Sequence, residues 1–225
     1  MWTILSPLLM VALFTIIFST LFGGIIKNYY VYFMCGWCLF QFFSSSISAS
    51  MNALNGNKAI LQRTPAPKYI FVLGGILSEF LNYFIMLVLL VVIMLITHAP
   101  FYFPIIFGSI IPIISLFFLI VGWGLMLSIT CVYYTNIQHL WTVVSMMLLY
   151  SCAIFYPMDI IPESFRGYMM LNPLYWIIDH FRCFVYHGIA PNGIGLINSL
   201  LLSLIILVCG IIVFKKYEDK IVTKF

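Results

Sequence analysis

The sequence has 225 residues, of which 64% are hydrophobic and only 7% charged, with a net charge of +4. Soluble domains carry about 25% charged residues, so this composition excludes an ordinary soluble enzyme and points to one polytopic membrane domain spanning residues 1–225. The basic residues are dispersed among short loops instead of one patch, which argues against nucleic acid as a partner.

A helix that crosses a bilayer needs roughly 20 apolar residues, because only internal hydrogen bonds satisfy its backbone there. The expected fold is all-α, with six transmembrane helices and short re-entrant helices between the fifth and sixth. The first span is predicted over 3–26; it opens at Met1 without a basic n-region and is too long for the core of a secretory signal. Lys27-Asn28-Tyr29-Tyr30 forms a tight polar turn with interfacial tyrosines. The second span runs over 31–53 and ends in the tract SSSISAS, whose small side chains suit close helix packing. NGNKAILQRTPAPKY, 55–69, is the longest polar stretch of the first half, and the third span follows over 70–97. No formal charge then occurs between Glu79 and Asp159, so breaks come from other signals. THAPFYFP at 97–104 and YYTNIQH at 133–139 supply them, leaving a fourth span at 105–132 and a fifth at 140–156. The sixth span, 194–214, is expected to stop at Lys215-Lys216 and give way to a frayed polar tail, 215–225.

Orientation follows from the basic residues. With both termini cytoplasmic, Lys58, Arg63, Lys68, Lys215, Lys216, Lys220 and Lys224 lie inside and only Lys27, Arg166 and Arg182 outside.

The stretch 157–193 then faces outward. It is punctuated by Pro157, Pro162, Pro173, Gly188 and Pro191, which predicts two short helices separated at Asn172-Pro173. Asn172 is a candidate N-cap and Pro173 the first helical residue. Leu174, Ile177, Ile178, Phe181 and Val185 share one face, while Asp179, Arg182 and Tyr186 fall on the other, with Asp179 and Arg182 an i,i+3 ion pair. Fifteen helical residues reach only about 22 Å, short of the roughly 30 Å apolar core. The segment is therefore either a re-entrant gate hairpin lining a polar route or an amphipathic helix lying in the interface.

Other residues carry chemistry at bilayer depth. Glu79 is either a structural partner of Asn82 at i,i+3 or a residue of the substrate path. Tyr29, Tyr30, Tyr32, Tyr102, Tyr156, Tyr168, Tyr175 and Trp176 cluster on the outer side. An interfacial belt accounts for them first, and stacking on sugar rings second, with Tyr156, Tyr175 and Trp176 the path candidates. Six cysteines (35, 38, 131, 152, 183 and 209) are scattered through apolar sequence as small hydrophobes; only Cys35-Gly-Trp-Cys38 has a redox-like spacing. The histidines make a poor metal site, and no metal ligands are assigned.

The residues quoted also carry a family resemblance. Phe155-Tyr156-Pro157 at the end of the fifth span, then Leu171-Asn172-Pro173 leading into a short helix that ends Phe181-Arg182, resembles the second half of a type-2 ABC-transporter permease of the O-antigen, teichoic-acid and capsule exporter branch. In the first half, Asn57, Lys58, Ile60, Leu61 and Pro65, with Arg63 nearby, resemble the family's loop after the second span. Trp2, Leu5 and Pro7 match the entry to its first span, which here opens the sequence without the family's preceding basic amphipathic helix. The family's acidic–basic pair before the fifth span is replaced by the neutral Thr135-Asn136.

What the resemblance implies is a multi-pass permease of the bacterial inner or plasma membrane, working as a homodimer with a separate ABC ATPase. The 55–68 loop would be a coupling element on that ATPase, through Asn57, Lys58, Gln62 and Arg63. Asn172, Pro173, Asp179 and Arg182 would belong to an outer gate helix, and a lipid-linked glycan would pass between the two copies. The sequence has no G-x-x-x-x-G-K-[ST] phosphate loop, so no cofactor is expected on this chain and ATP belongs to the partner. Three alternatives remain: a drug, peptide or lipid as cargo, a membrane thiol-redox enzyme using Cys35 and Cys38, and a lipid-modifying enzyme built on the outer histidines.

Overall fold

The computed structural model describes residues 9, 10, 12–14, 16, 17, 26, 28–63, 67–103, 105–134 and 136–221. The expected first span falls largely outside them. All regular structure among the described residues is helical, in chain order α1 (Tyr29–Gly56), α2 (Lys58–Arg63), α3 (Tyr69–Ile96), a 3-10 turn (Ile105–Ser109) leading into α4 (Ile110–Tyr133), α5 (Ile137–Ser151), a second 3-10 turn (Met158–Ile160), α6 (Glu163–Met170), α7 (Pro173–Arg182) continued by a π turn (Cys183–His187), and α8 (Gly193–Ile221).

Three of these stretches, Tyr69–Ile96, Ile105–Tyr133 and Gly193–Glu218, are long and apolar enough to cross a membrane. Helix α1 has 28 residues, about 42 Å at the helical rise, but Gln41 and its serine tract dilute its apolar character. It is instead the most enclosed of the long helices, with Val31, Phe33, Met34, Cys35, Cys38, Leu39, Ile47 and Leu54 fully buried.

Helices α1 and α4 form the centre, with α3 laid on α1 and α8 on α4. Hydrocarbon tails are as apolar as leucine, so burial of apolar area does not drive this association; close contact of small residues does. On α1, the serine tract packs as expected: Ser46 and Ser50 are fully buried, and a Cβ added at Gly75 of α3 would sit 3.5 Å from that of Ala49. Gly124 of α4 lies against Ser50, where an added Cβ would come within 2.7 Å of its Oγ. Between α4 and α8 the backbones themselves touch. A Cβ on Gly122 would lie 2.5 Å from the Ile206 carbonyl oxygen, and one on Gly210 would collide with the Gly122 carbonyl.

The loops gather at two ends. At one, Asn55 Nδ2 donates to the Cys131 carbonyl (3.3 Å), Gln138 Nε2 to Asn52 Oδ1 (2.7 Å), and the Lys68 backbone N–H to Glu218 Oε1 (3.3 Å). Lys68 Nζ also bonds the Glu218 carbonyl. At the other end, Asn28, Ala99, Pro100, Tyr102, Val185, Tyr186 and His187 surround a half-open cleft of about 260 Å³. Gly188 closes the π turn there with φ 64, and its missing side chain leaves the space filled by the Tyr102 ring.

Two expected boundaries are corrected. Helix α8 does not stop at Lys215-Lys216 but runs to Ile221. Lysine and glutamate are good helix formers, and Glu218 is held by Lys68, so the polar turns continue the helix past the apolar stretch. The fifth span is also shorter than expected: α5 ends at Ser151, and 152–157 is non-helical. Its 15 residues reach about 22 Å, and Ala153 turns left-handed at φ 48.

Candidate functional site

Helix α7 lies among α1, α4 and α8 instead of on the surface. The face predicted to be apolar is buried throughout, with Leu174, Ile177, Ile178, Phe181 and Val185 each at most 4% exposed. Its start is also as expected. Asn172 Oδ1 accepts from the Leu174 N–H at 3.0 Å, and Pro173 occupies the first turn, where a missing N–H costs nothing. The Asn172 amide has a second task, donating to Ser151 Oγ (2.9 Å) and Cys152 Sγ (3.2 Å) at the end of α5.

The opposite end of α7 corrects an expectation. Arg182 does not share a polar face with Asp179 and forms no ion pair with it; it is 3% exposed and points inward. Its Nη1 and Nη2 donate to the carbonyls of Ala153 and Ile154, both at 3.0 Å, and Nε to that of Tyr32 at 3.4 Å. The guanidinium carbon stands 3.8 Å from the centroid of the Tyr32 ring. The physical reason is the break after α5, which strands carbonyls away from water. Arg182 takes two of them, and Tyr29 and Tyr32 take the next two, through hydroxyl bonds to Phe155 O (2.9 Å) and Tyr156 O (3.1 Å). Four consecutive carbonyls are thereby satisfied by side chains from other elements, as buried backbone requires.

Tyr29, Tyr32 and Tyr175 are therefore core residues, each at most 8% exposed, whereas Tyr30 and Tyr168 are exposed. Tyr156 is half-buried and bonds the Tyr150 carbonyl at 2.5 Å; Trp176 Nε1 bonds that of Met170 at 2.7 Å. At the end of the π turn, partial burial holds the His187 imidazole below the usual histidine range; Asp179 opposes that effect and Arg182 adds to it. The tyrosine and tryptophan path candidates are thus gathered near α7. Glu79 is not; it sits half-exposed on α3, where Asn82 Nδ2 donates to it at 3.2 Å.

At the far end, α2 is a six-residue helix anchored by Leu61, at 4% exposure, with Lys58, Ile60, Gln62 and Arg63 on its open side. Asn57 caps the preceding helix, its amide donating to the Ala53 carbonyl at 2.8 Å.

Between these ends runs a feature not anticipated from the sequence. Ser44, Ser48 and Asn52 line one side of a cleft between α1 and α5, and Gln138, Thr142 and Ser145 the other. The cleft comprises two adjoining hollows of about 250 and 200 Å³. Ser44 and Ser145 hydroxyls meet at 2.8 Å across it, and the indole N–H of buried Trp141, in its wall, has no acceptor. Farther along α1 the core is aromatic, with buried Phe33 stacked on Trp37 (5.7 Å) and against Phe155 (5.7 Å). The signal was available in the helical spacing of these polar residues, i, i+4, i+8 on α1 and i, i+4, i+7 on α5.

Cys35 and Cys38 are fully buried on consecutive turns of α1 and not joined, with the Cys38 thiol directed to the Cys35 carbonyl at 3.5 Å. A thiol pair sealed in this way is a poor redox centre.

Long apolar helices packed through small residues, a polar cleft and a tethered half-length helix define a helical membrane protein. The chain belongs to the ABC-2 type transporter family, whose model matches residues 1–186. It is 26% identical over 190 residues to the O-antigen export system permease protein RfbA of Klebsiella pneumoniae, covering 84% of this chain and 73% of that one. With the polysialic acid transport protein KpsM of Escherichia coli it shares 22% identity over 227 residues, 99% of this chain and 87% of the other. A Myxococcus xanthus O-antigen export system permease protein RfbA is 20% identical over 223 residues, covering 98% and 85% respectively. The resemblance drawn from the sequence motifs, to the polysaccharide-exporter branch of the permeases, therefore stands.

Proposed function

We propose that this chain is the membrane-spanning permease subunit of an ATP-driven exporter. Two copies work with a separate ATPase pair and move a lipid-linked polysaccharide through a channel between them. The observation that carries this is the opposition of two specialised ends along one bundle. An exposed, basic, six-residue helix (α2) stands at one end and a tethered half-length helix (α7) at the other. A polar cleft leads from the first toward the second. In this arrangement the α2 end is cytoplasmic, and Lys58, Gln62 and Arg63 engage the ATPase, with Asn57 fixing the turn before them. The 157–193 hairpin is the external gate, with Asp179 half-exposed on it and free of Arg182.

Amide and hydroxyl groups along Ser44, Ser48, Asn52, Gln138, Thr142 and Ser145 suit the neutral hydroxyls of a glycan. Removing the gene from its host tests the assignment. Surface polysaccharide is expected to disappear while lipid-linked glycan accumulates on the cytoplasmic side. Unchanged surface glycan with a defect in drug or peptide efflux would transfer the assignment to another cargo.

A further inference from the structure

We propose that Arg182 is the positioning residue that locks the gate helix to the broken end of the fifth span, so that α7 and residues 152–157 move as one body. The proposal takes the gate assignment of 157–193 as its starting point and adds the device that governs it.

The geometry makes this tie specific. A guanidinium buried in a membrane protein pairs with a carboxylate or with backbone carbonyls, and here it meets the carbonyls of Ala153, Ile154 and Tyr32. Those groups are exposed by the chain break itself, so cation and break each require the other. A planar fork reaches two adjacent carbonyls at once, which the single point charge of a lysine does not do. The surroundings are cut to this fork. Gly36 lies beneath it, where an added Cβ would stand 2.7 Å from Nη2, and the Tyr32 ring covers it at 3.8 Å. The opposite end of α7 is tied to the same strand, because the Asn172 amide bonds Ser151 and Cys152. Both ends of a ten-residue helix are thus fixed to one six-residue break. Sliding α7 past 152–157 would strip hydrogen bonds from two buried carbonyls and a charge together, whereas moving both leaves those bonds intact. Ala153, left-handed at φ 48, presents its carbonyl to Arg182 from within that break.

Two native cysteines report on the lock. Cys152 is fully buried within the break, and Cys131 is fully buried at the other end of the bundle. The full-length protein in liposomes, without nucleotide, is treated with a membrane-impermeant maleimide, and labelling at each site is followed by peptide mass spectrometry. Arg182→Lys and Gly36→Ala are compared with wild type; the second displaces the guanidinium without changing any charge. Both are expected to raise the Cys152 labelling rate roughly tenfold or more, leaving Cys131 protected. Both should also let a small trapped sugar leak out. If Cys152 stays as protected as in wild type, or Cys131 opens in parallel, Arg182 is not a lock and the proposal is overturned. If Cys152 opens while the liposomes stay tight, the lock stands and the gate assignment falls.

Discussion

The bond set of Asn172 allows its contribution to be divided by two substitutions. Asn172→Ala removes the cap on the Leu174 N–H and both donations to Ser151 and Cys152. A helix cap contributes about 1 kcal/mol and the bond to the Ser151 hydroxyl about as much again, while the Cys152 sulfur is a weak acceptor and adds little, so the expected loss is about 2 kcal/mol. For a chain of this size that lowers the melting temperature by about 4–8 °C. Asn172→Ser keeps a capping oxygen for the Leu174 N–H without adding a charge and loses the amide donor, so it should lose only about half as much. Thermal unfolding of the purified protein in detergent, followed by tryptophan fluorescence, measures both. Melting of the Asn172→Ser protein at the wild-type temperature would show that the tie to α5 is not made by the amide, and equal melting of the Asn172→Ser and Asn172→Ala proteins would show that the cap contributes nothing. Melting of both at the wild-type temperature would refute the whole scheme of a tethered α7.

Other perturbations separate fold from transport. Gly122→Leu forces side-chain atoms into the Ile206 backbone and is expected to cost about 1–3 kcal/mol or more, seen as a lower melting temperature and less protein in the membrane. Gly188→Val combines φ 64 with a collision on Tyr102, and should destabilise by a similar amount in the same assay. Reversing charge with Arg63→Glu should leave melting unchanged and abolish co-purification with the ATPase, since this side chain stands on the open side of α2. Ser48→Leu with Thr142→Leu, which greases the cleft at two exposed or half-exposed positions, should reduce surface glycan several-fold at normal protein abundance.

Apolar span lengths and proline punctuation made the helices from Tyr69 onward legible, because a bilayer permits so few spanning structures. The α7 start was equally legible, since Asn172-Pro173 is a local signal acting on its own turn. Arg182 was misassigned because helical spacing reports a face, not what that face meets. Its partners are carbonyls 28 and 29 residues earlier, released by a break that apolar sequence does not announce. The fifth span extended too far for the same reason: Cys152, Ala153, Ile154 and Phe155 are as hydrophobic as any helix interior, and are buried without being helical. In the cleft, the serine tract was seen as packing alone. Ser46 and Ser50 do pack, whereas Ser44 and Ser48, two residues earlier on the same helix, turn toward α5. The lysine pair at 215 and 216 ended a hydropathy run, not a helix.

The sidedness of the two ends is the point from which coupling and gating both follow. Single cysteines at Ile60, on the open face of α2, and at Tyr168, on α6, occupy exposed positions at 50% and 74% exposure. In intact cells an impermeant maleimide should label Tyr168→Cys at once and Ile60→Cys only after the membrane is permeabilised. Labelling of both from outside, or of Ile60→Cys alone, would contradict an exporter driven from the α2 end and gated at the other.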